Sequence, residues 1–207
     1  MRVGLTGSPG TGKKTVGRIL SKFSGLEFVS INDFAIENGF AKRLGIEYVV
    51  DTRKIKGKIK TKDRIIAGHL LPYVVPNKDL DRVFVLRCSP IKLRERYLER
   101  DYPEEKIVEN PEGEFIGLIS SECAKIYTLN KIAEFDTTRV KPETVGRRAL
   151  DVVKGKATPT FGAIDWIAKS ATYSGFREMT LQGKCNRFNI PKRITRFANP
   201  KARKSRY

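Results

Sequence analysis

The residues best placed to do chemistry are Gly7-Ser8-Pro9-Gly10-Thr11-Gly12-Lys13. They sit between an apolar run at Met1–Thr6 and the start of an amphipathic stretch at Thr15–Leu20, so a short buried strand enters a glycine-rich turn and leaves as a helix. Glycines let the backbone curl until successive N–H groups point inward. The helix start adds its positive dipole end, and Lys13 can reach outer phosphates. The expected ligand is a phosphate-bearing nucleotide, ATP or ADP, held by Gly7, Pro9, Gly10, Thr11, Gly12, Lys13, Lys14 and Thr15. The residue after Lys13 departs from the pattern. A Ser or Thr there would hold magnesium through its hydroxyl, but the residue is Lys14, whose ammonium has donors and no acceptor. Thr15 replaces it only if the helix start shifts by one residue, and successive helical side chains point about 100° apart. No metal ligand is assigned, and magnesium is in doubt.

Other polar groups gather round this loop in the reading. His69 follows the apolar run Arg64-Ile65-Ile66-Ala67, which places it at a strand end beside the phosphates. Arg96 and Arg100 lie on one helix and are candidates to clamp a transferring group. If the chain is catalytic, Lys13 and His69 are the residues expected to do the work.

Five strands position these groups: 2–6, 26–30, 64–67, 82–87 and 132–136. Helices are expected between them. One follows the loop, and a short one opens at Ile31 with Asn32 or Asp33 as cap. Ser89-Pro90 starts a third, running to about Arg100, and Asn110-Pro111 caps a fourth, with Glu112 and Glu114 near its positive end. Phe115, Leu118, Ile119, Ile126 and Leu129 form its buried side, and Pro142 opens a last helix to about Val153. Residues 38–64 are the least regular, with a possible strand at 47–50 and an alternation of basic and small or apolar residues over 52–62. The pattern predicts an α/β fold with a mainly parallel five-stranded sheet flanked by helices, and ligands at its carboxyl edge. The expected division is a kinase-like domain at 1–154, a linker and Asp-Trp segment at 155–175 (Gly155–Gly162 being the linker proper), and a basic C-terminal extension at 176–207.

Composition sets bounds on the partners. The chain has 207 residues and a net charge of +18, well beyond what solubility requires, which points to a polyanion. The surplus is concentrated. Residues 53–64 hold seven basic side chains and one acidic, and 176–207 hold ten and one. Like charges this dense repel unless something negative lies alongside. The RNA-contact candidates are therefore Arg53, Lys54, Lys56, Lys58, Lys60 and Lys62, with Lys184, Arg187, Lys192, Arg193, Arg196, Lys201, Arg203, Lys204 and Arg206 in the extension, where aromatic residues are interleaved. Three widely spaced cysteines argue against a disulfide framework or a zinc site. No apolar run approaches a membrane span. The expectation is a soluble cytoplasmic protein with no membrane or DNA partner.

With these residues assembled, the chain resembles the atypical adenylate kinase family that includes the coilin-interacting nuclear ATPase of animals and archaeal adenylate kinase relatives. The resemblance covers roughly 1–166. It rests on the loop, Asn32-Asp33-Phe34-Ala35, Gly68-His69, Arg100-Asp101-Tyr102, Glu105-Lys106-Ile107, Glu109-Asn110, Asp136-Thr137-Thr138 and Ile164-Asp165-Trp166. It implies a P-loop, NMP-kinase-like fold, adenine nucleotide binding, and a role in assembling the small ribosomal subunit, with rRNA and a platform ribosomal protein as partners. The departures fall on the chemistry. The family's second loop Thr is Lys14, its Asp before Gly-His is Ala67, and the acidic helix of its monophosphate site is replaced by the basic 53–64 segment.

Two functions follow. One is a kinase-derived, ribosome-associated protein that binds small-subunit rRNA, either a subunit component or an assembly factor, with phosphotransfer impaired or lost. The other is a working adenylate kinase or ATPase in small-subunit biogenesis. Losing both metal contacts favours the first.

Overall fold

The computed structural model describes residues 1–44, 47–100 and 103–170. Strands β1 (Arg2–Gly7), β2 (Glu27–Ser30), β5 (Arg64–Ala67), β6 (Arg82–Arg87) and β7 (Ile132–Asp136) form a sheet in the order β2-β5-β1-β6-β7, with every neighbouring pair parallel. Such a sheet must be covered on both faces, and side-chain alternation along the strands sorts the cover. Val3, Leu5, Ile65, Phe84, Leu86 and Ala133 point to the face packed by α1 (Lys13–Ser24) and α8 (Pro142–Val153). Ile66, Val83, Val85 and Ile132 point to the other face, beneath α2 (Ile31–Glu37), α4 (Leu71–Val74) and α7 (Leu118–Ile126). A third cluster, Cys88, Leu93 and Tyr97, is built mainly by α5 (Pro90–Leu98). This is the α/β architecture expected, with all five strand carboxyl ends at one edge.

Several local expectations are corrected. Asn32 and Asp33 do not cap α2: Ser30 does, its hydroxyl accepting from the Asp33 N–H. Asn110-Pro111 does not start a helix. Pro111 lies inside α6 (Glu104–Phe115), whose first turn carries Glu104 and Glu105, and Gly117, left-handed at φ 64°, separates α6 from α7. Glu114 thus sits at the negative end of its helix, and Ile126 and Leu129 are exposed, not buried.

The irregular region contains a hairpin, β3 (Ala41–Leu44) with β4 (Glu47–Val50), antiparallel. Of these, β3 was not foreseen. The alternating basic stretch is neither strand nor plain loop. It begins with the one-turn helix α3 (Thr52–Ile55), capped by Asp51, and is pinned by Ile55 and Ile59, which enter the core under α4 while the lysines between them stay exposed. The expected linker lies along β7: the Glu134 N–H donates to the Thr160 carbonyl, and the Gly162 N–H to the Glu134 carboxylate. It leads into α9 (Trp166–Ser170).

Because Ile55 is fully buried, Ile55→Ala should lower unfolding free energy by about 2–5 kcal/mol in urea titrations, whereas exposed Lys54→Ala should stay within about 0.5 kcal/mol.

Candidate functional site

The loop is shaped by contacts on its outer side. Gly7 leaves β1 at φ 136°, and a Cβ there would lie 2.2 Å from the Leu86 carbonyl oxygen, so only glycine fits. Thr11 Oγ1 donates to the Ser8 carbonyl at 2.8 Å, and Tyr97 Oη to the Pro9 carbonyl at 2.5 Å. Arg96 donates to the carbonyls of Gly10 (3.1 Å) and Thr137 (2.8 Å). Helix α5 thus props the loop by its carbonyls and leaves the N–H groups of the α1 start to face outward. Gly12 caps α1 in the left-handed conformation with no side-chain bond, and the space over it is open. This is the anion-binding end of a helix inside a loop built to present it.

Lys13 folds back over the loop, its ammonium donating to the carbonyls of Gly7 and Ser8 at 2.9 Å each. Burial pushes its pKa down to about 8, against the attraction of Glu114. His69 follows β5, where Gly68 donates to the Leu5 carbonyl. Burial, then repulsion from Lys13 and Lys106, lowers its pKa to about 4, so it is neutral at pH 7. The structure therefore brings Lys13 and His69 to the same carboxyl edge, as expected. Arg96 is engaged with backbone, and Arg100 lies exposed beyond α5, its backbone N–H on the Tyr97 carbonyl.

The decisive departure is Lys14. Its ammonium lies 2.8 and 3.0 Å from the two carboxylate oxygens of Asp33, at the start of α2. Thr15 is exposed on α1, and buried Ala67 ends β5 where a carboxylate would be needed. Magnesium requires oxygen ligands. Here one position holds a cation, another a methyl group, and the nearby carboxylate is already engaged. Among the described residues no group of three or more His, Cys, Asp or Glu side chains is arranged to hold a metal. The residues present do not fit a protein-anchored magnesium ion.

Beneath the loop lies a polar network that the sequence reading missed. Arg87, at the end of β6, donates through Nε to Glu114 (2.6 Å) and through one terminal nitrogen to Glu134 on β7 (2.9 Å), all three side chains being almost fully buried. Ser120 donates to Glu134, and the Trp166 indole N–H and Cys88 N–H donate to Glu114. Ser8 of the loop donates to the other Glu114 oxygen at 2.6 Å. The available signal was a charged residue inside an apolar strand run, Glu134 in Ile-Ala-Glu-Phe and Arg87 after Val-Phe-Val-Leu.

Of the expected RNA contacts, Arg53, Lys54, Lys56, Lys58, Lys60 and Lys62 are all exposed. Among the described residues none of these lysines makes an ion pair; Arg53 lies 3.8 Å from Asp51. Lys184, Arg187, Lys192, Arg193, Arg196, Lys201, Arg203, Lys204 and Arg206 lie outside the described residues. No helix of the described residues is long and apolar enough to cross a membrane.

Two measurements check this site. Glu114→Gln removes one partner of a buried ion pair and should cost about 3–5 kcal/mol of stability; the emission of Trp166, the chain's single tryptophan, should shift with it. The second concerns Lys13. Below pH 8 the fold carries the full cost of burying the ammonium. That cost is relieved as pH rises from about 8 toward the unfolded value near 10.4, because there the unfolded chain binds the proton the folded one has lost. In urea titrations, the stability of Lys13→Met relative to the unsubstituted protein should therefore be greater at pH 7 than at pH 10.

Known proteins similar to this chain are kinases or carry the same kind of name. The family model described as "AAA domain" matches residues 3–117. A protein of Thermococcus gammatolerans named "Putative adenylate kinase" is 35% identical over 170 residues, covering 80% of this chain and 93% of its own. One of the same name from Pyrococcus abyssi is 32% identical, covering 80% and 91%. A solved shikimate kinase from Acinetobacter baumannii, in complex with shikimate, overlaps 74% of this chain and 93% of its own at 16% identity, with a TM-score of 0.49. A glycine-rich loop cradled by a parallel β2-β5-β1-β6-β7 sheet, with relatives of this identity and coverage, places the chain in the adenylate-kinase-like P-loop family, as a nucleotide kinase-like protein.

Proposed function

We propose that this protein is a kinase-derived, adenine-nucleotide-binding protein with impaired or lost phosphotransfer that grips RNA of the small ribosomal subunit. The observation that carries the first half is the Lys14–Asp33 ion pair. Phosphoryl transfer depends on positioning and on neutralising charge that develops on the transferred group, and the residues that would anchor a metal for this purpose are replaced or engaged. What binds phosphate is retained: the backbone N–H groups of the loop, the α1 start and Lys13. The RNA half is supported by the exposed lysines at 54–62, held on a segment pinned by Ile55 and Ile59. The ribosomal setting, rRNA and a platform protein, comes from the family resemblance.

The alternative, a working adenylate kinase or ATPase in subunit assembly, is favoured by the loop's glycines and Lys13 and by the names of the archaeal relatives. In that reading Lys13 would steady the phosphates. Neutral His69 would offer a ring nitrogen to an attacking water or acceptor, and AMP would be the acceptor.

Purified protein given Mg-ATP and AMP should form ADP no faster than its Lys13→Ala variant, and the double change Lys14→Thr, Ala67→Asp should raise the rate. Turnover of the unsubstituted protein well above that control would establish the alternative. For RNA, the slope of log affinity against log salt for a small-subunit rRNA fragment should become shallower by about 2–3 when Lys54, Lys56 and Lys58 are changed to Ala, since each phosphate contact contributes about 0.7–0.9. An unchanged slope would remove this segment from the interface.

A further inference from the structure

We infer that the loop takes its nucleoside triphosphate in the metal-free form, with the Lys14 ammonium exchanging the Asp33 carboxylate for phosphate oxygens. The inference rests on the nucleotide-binding reading above and specifies the ligand's ionic form. Lys14 opens α1 beside Lys13, so two ammonium groups stand where a P-loop normally presents one ammonium and one hydroxyl. Asp33, from the first turn of α2, holds Lys14 through both carboxylate oxygens. This pair is half exposed, with side-chain accessibilities of 55% and 44%. Pairs of that kind are weak because water and salt screen them, so the carboxylate can be displaced by a more highly charged anion at little cost. The open space over Gly12 leaves room at the start of α1 for that anion.

The carboxylate has a second effect. While it is paired with Lys14, it competes with phosphate for the same cation. A triphosphate without its metal carries more negative charge than its magnesium complex, and so competes better. The magnesium complex would bring its own cation to a position already flanked by the Lys14 ammonium, and the two like charges repel. The order of affinities is therefore inverted relative to a metal-dependent loop. Lys13 adds to the preference. Its ammonium, held by two carbonyls and losing its proton near pH 8, keeps its charge more readily beside the more negative ligand.

Calorimetric titration of the full chain with ATP tests this, once in EDTA and once in excess magnesium. The dissociation constant in EDTA should fall below that in magnesium, and equal constants overturn the inference. Asp33→Asn should tighten binding in EDTA about two- to fivefold by removing the competitor, while Lys14→Thr should make binding tighter in magnesium than in EDTA. Tighter binding of the unsubstituted protein in magnesium overturns the inference and leaves the nucleotide-binding reading standing. An unchanged affinity for Asp33→Asn overturns the exchange. No ATP binding under either condition, by protein whose circular dichroism and Trp166 emission show it folded, overturns the inference and the nucleotide-binding reading together.

Discussion

The structure depends on the buried guanidinium of Arg87, fixed between Glu114 and Glu134. One cation and two carboxylates in an interior carry a large desolvation cost, tolerable only when every lone pair and proton finds a partner. They do so by recruiting every surrounding layer: Ser120 from α7, the Cys88 N–H after β6, the Gly162 N–H from the segment along β7, the Trp166 indole, and Ser8 from the loop. Such a network adds little net stability compared with an apolar core of the same shape. What it adds is position. Because Ser8 and Trp166 meet on the same carboxylate, the loop and the chain beyond α8 share one anchor, and neither can shift without leaving a buried charge short of a partner.

That anchor holds the loop independently of the side chains at positions 14 and 67. The atoms that bind phosphate and those that bind metal are different sets. The first are backbone N–H groups oriented by Gly7, by Arg96 and Tyr97 on the loop's carbonyls, and by the Ser8–Glu114 bond. The second would be side chains at positions 14 and 67, which touch none of these supports. Lys14 and Ala67 therefore leave the loop's supports in place, and the loop's geometry does not depend on a metal ligand at either position.

The sequence made the sheet legible because its strands are short apolar runs bounded by loop residues: β5, β6, β7 and α8 fall at the residues expected. Local pattern failed where a stronger signal lay nearby. Asn110-Pro111 has the form of a helix start, but Pro103 followed by Glu104 and Glu105 supplies a better one, and α6 runs through Pro111. It also failed where partners are distant in sequence. Asp33 was read as a helix cap because spacing shows only its neighbours; its contact with Lys14 exists because β2 returns beside α1. Arg87, Glu114 and Glu134 were invisible as a site for the same reason. A charged residue type says exposed until two strands and three helices close over it. The loop itself was legible because its function resides in a contiguous stretch of backbone.

The topology also bears on how the loop and the basic segment stand to one another. In a parallel sheet the carboxyl edge holds the loop, Lys14 and His69. The basic segment ends at the opposite edge. Asp63 pairs with the Met1 ammonium before β1, and Arg64, the first residue of β5, pairs with Glu27, the first of β2. Lys60 and Lys62 therefore lie near the amino end of β5 and His69 beyond its carboxyl end, a strand length of about 13 Å at strand rise. The end of the basic segment and the loop thus stand at opposite ends of one sheet, while the start of the segment, α3, packs against α4 just beyond His69.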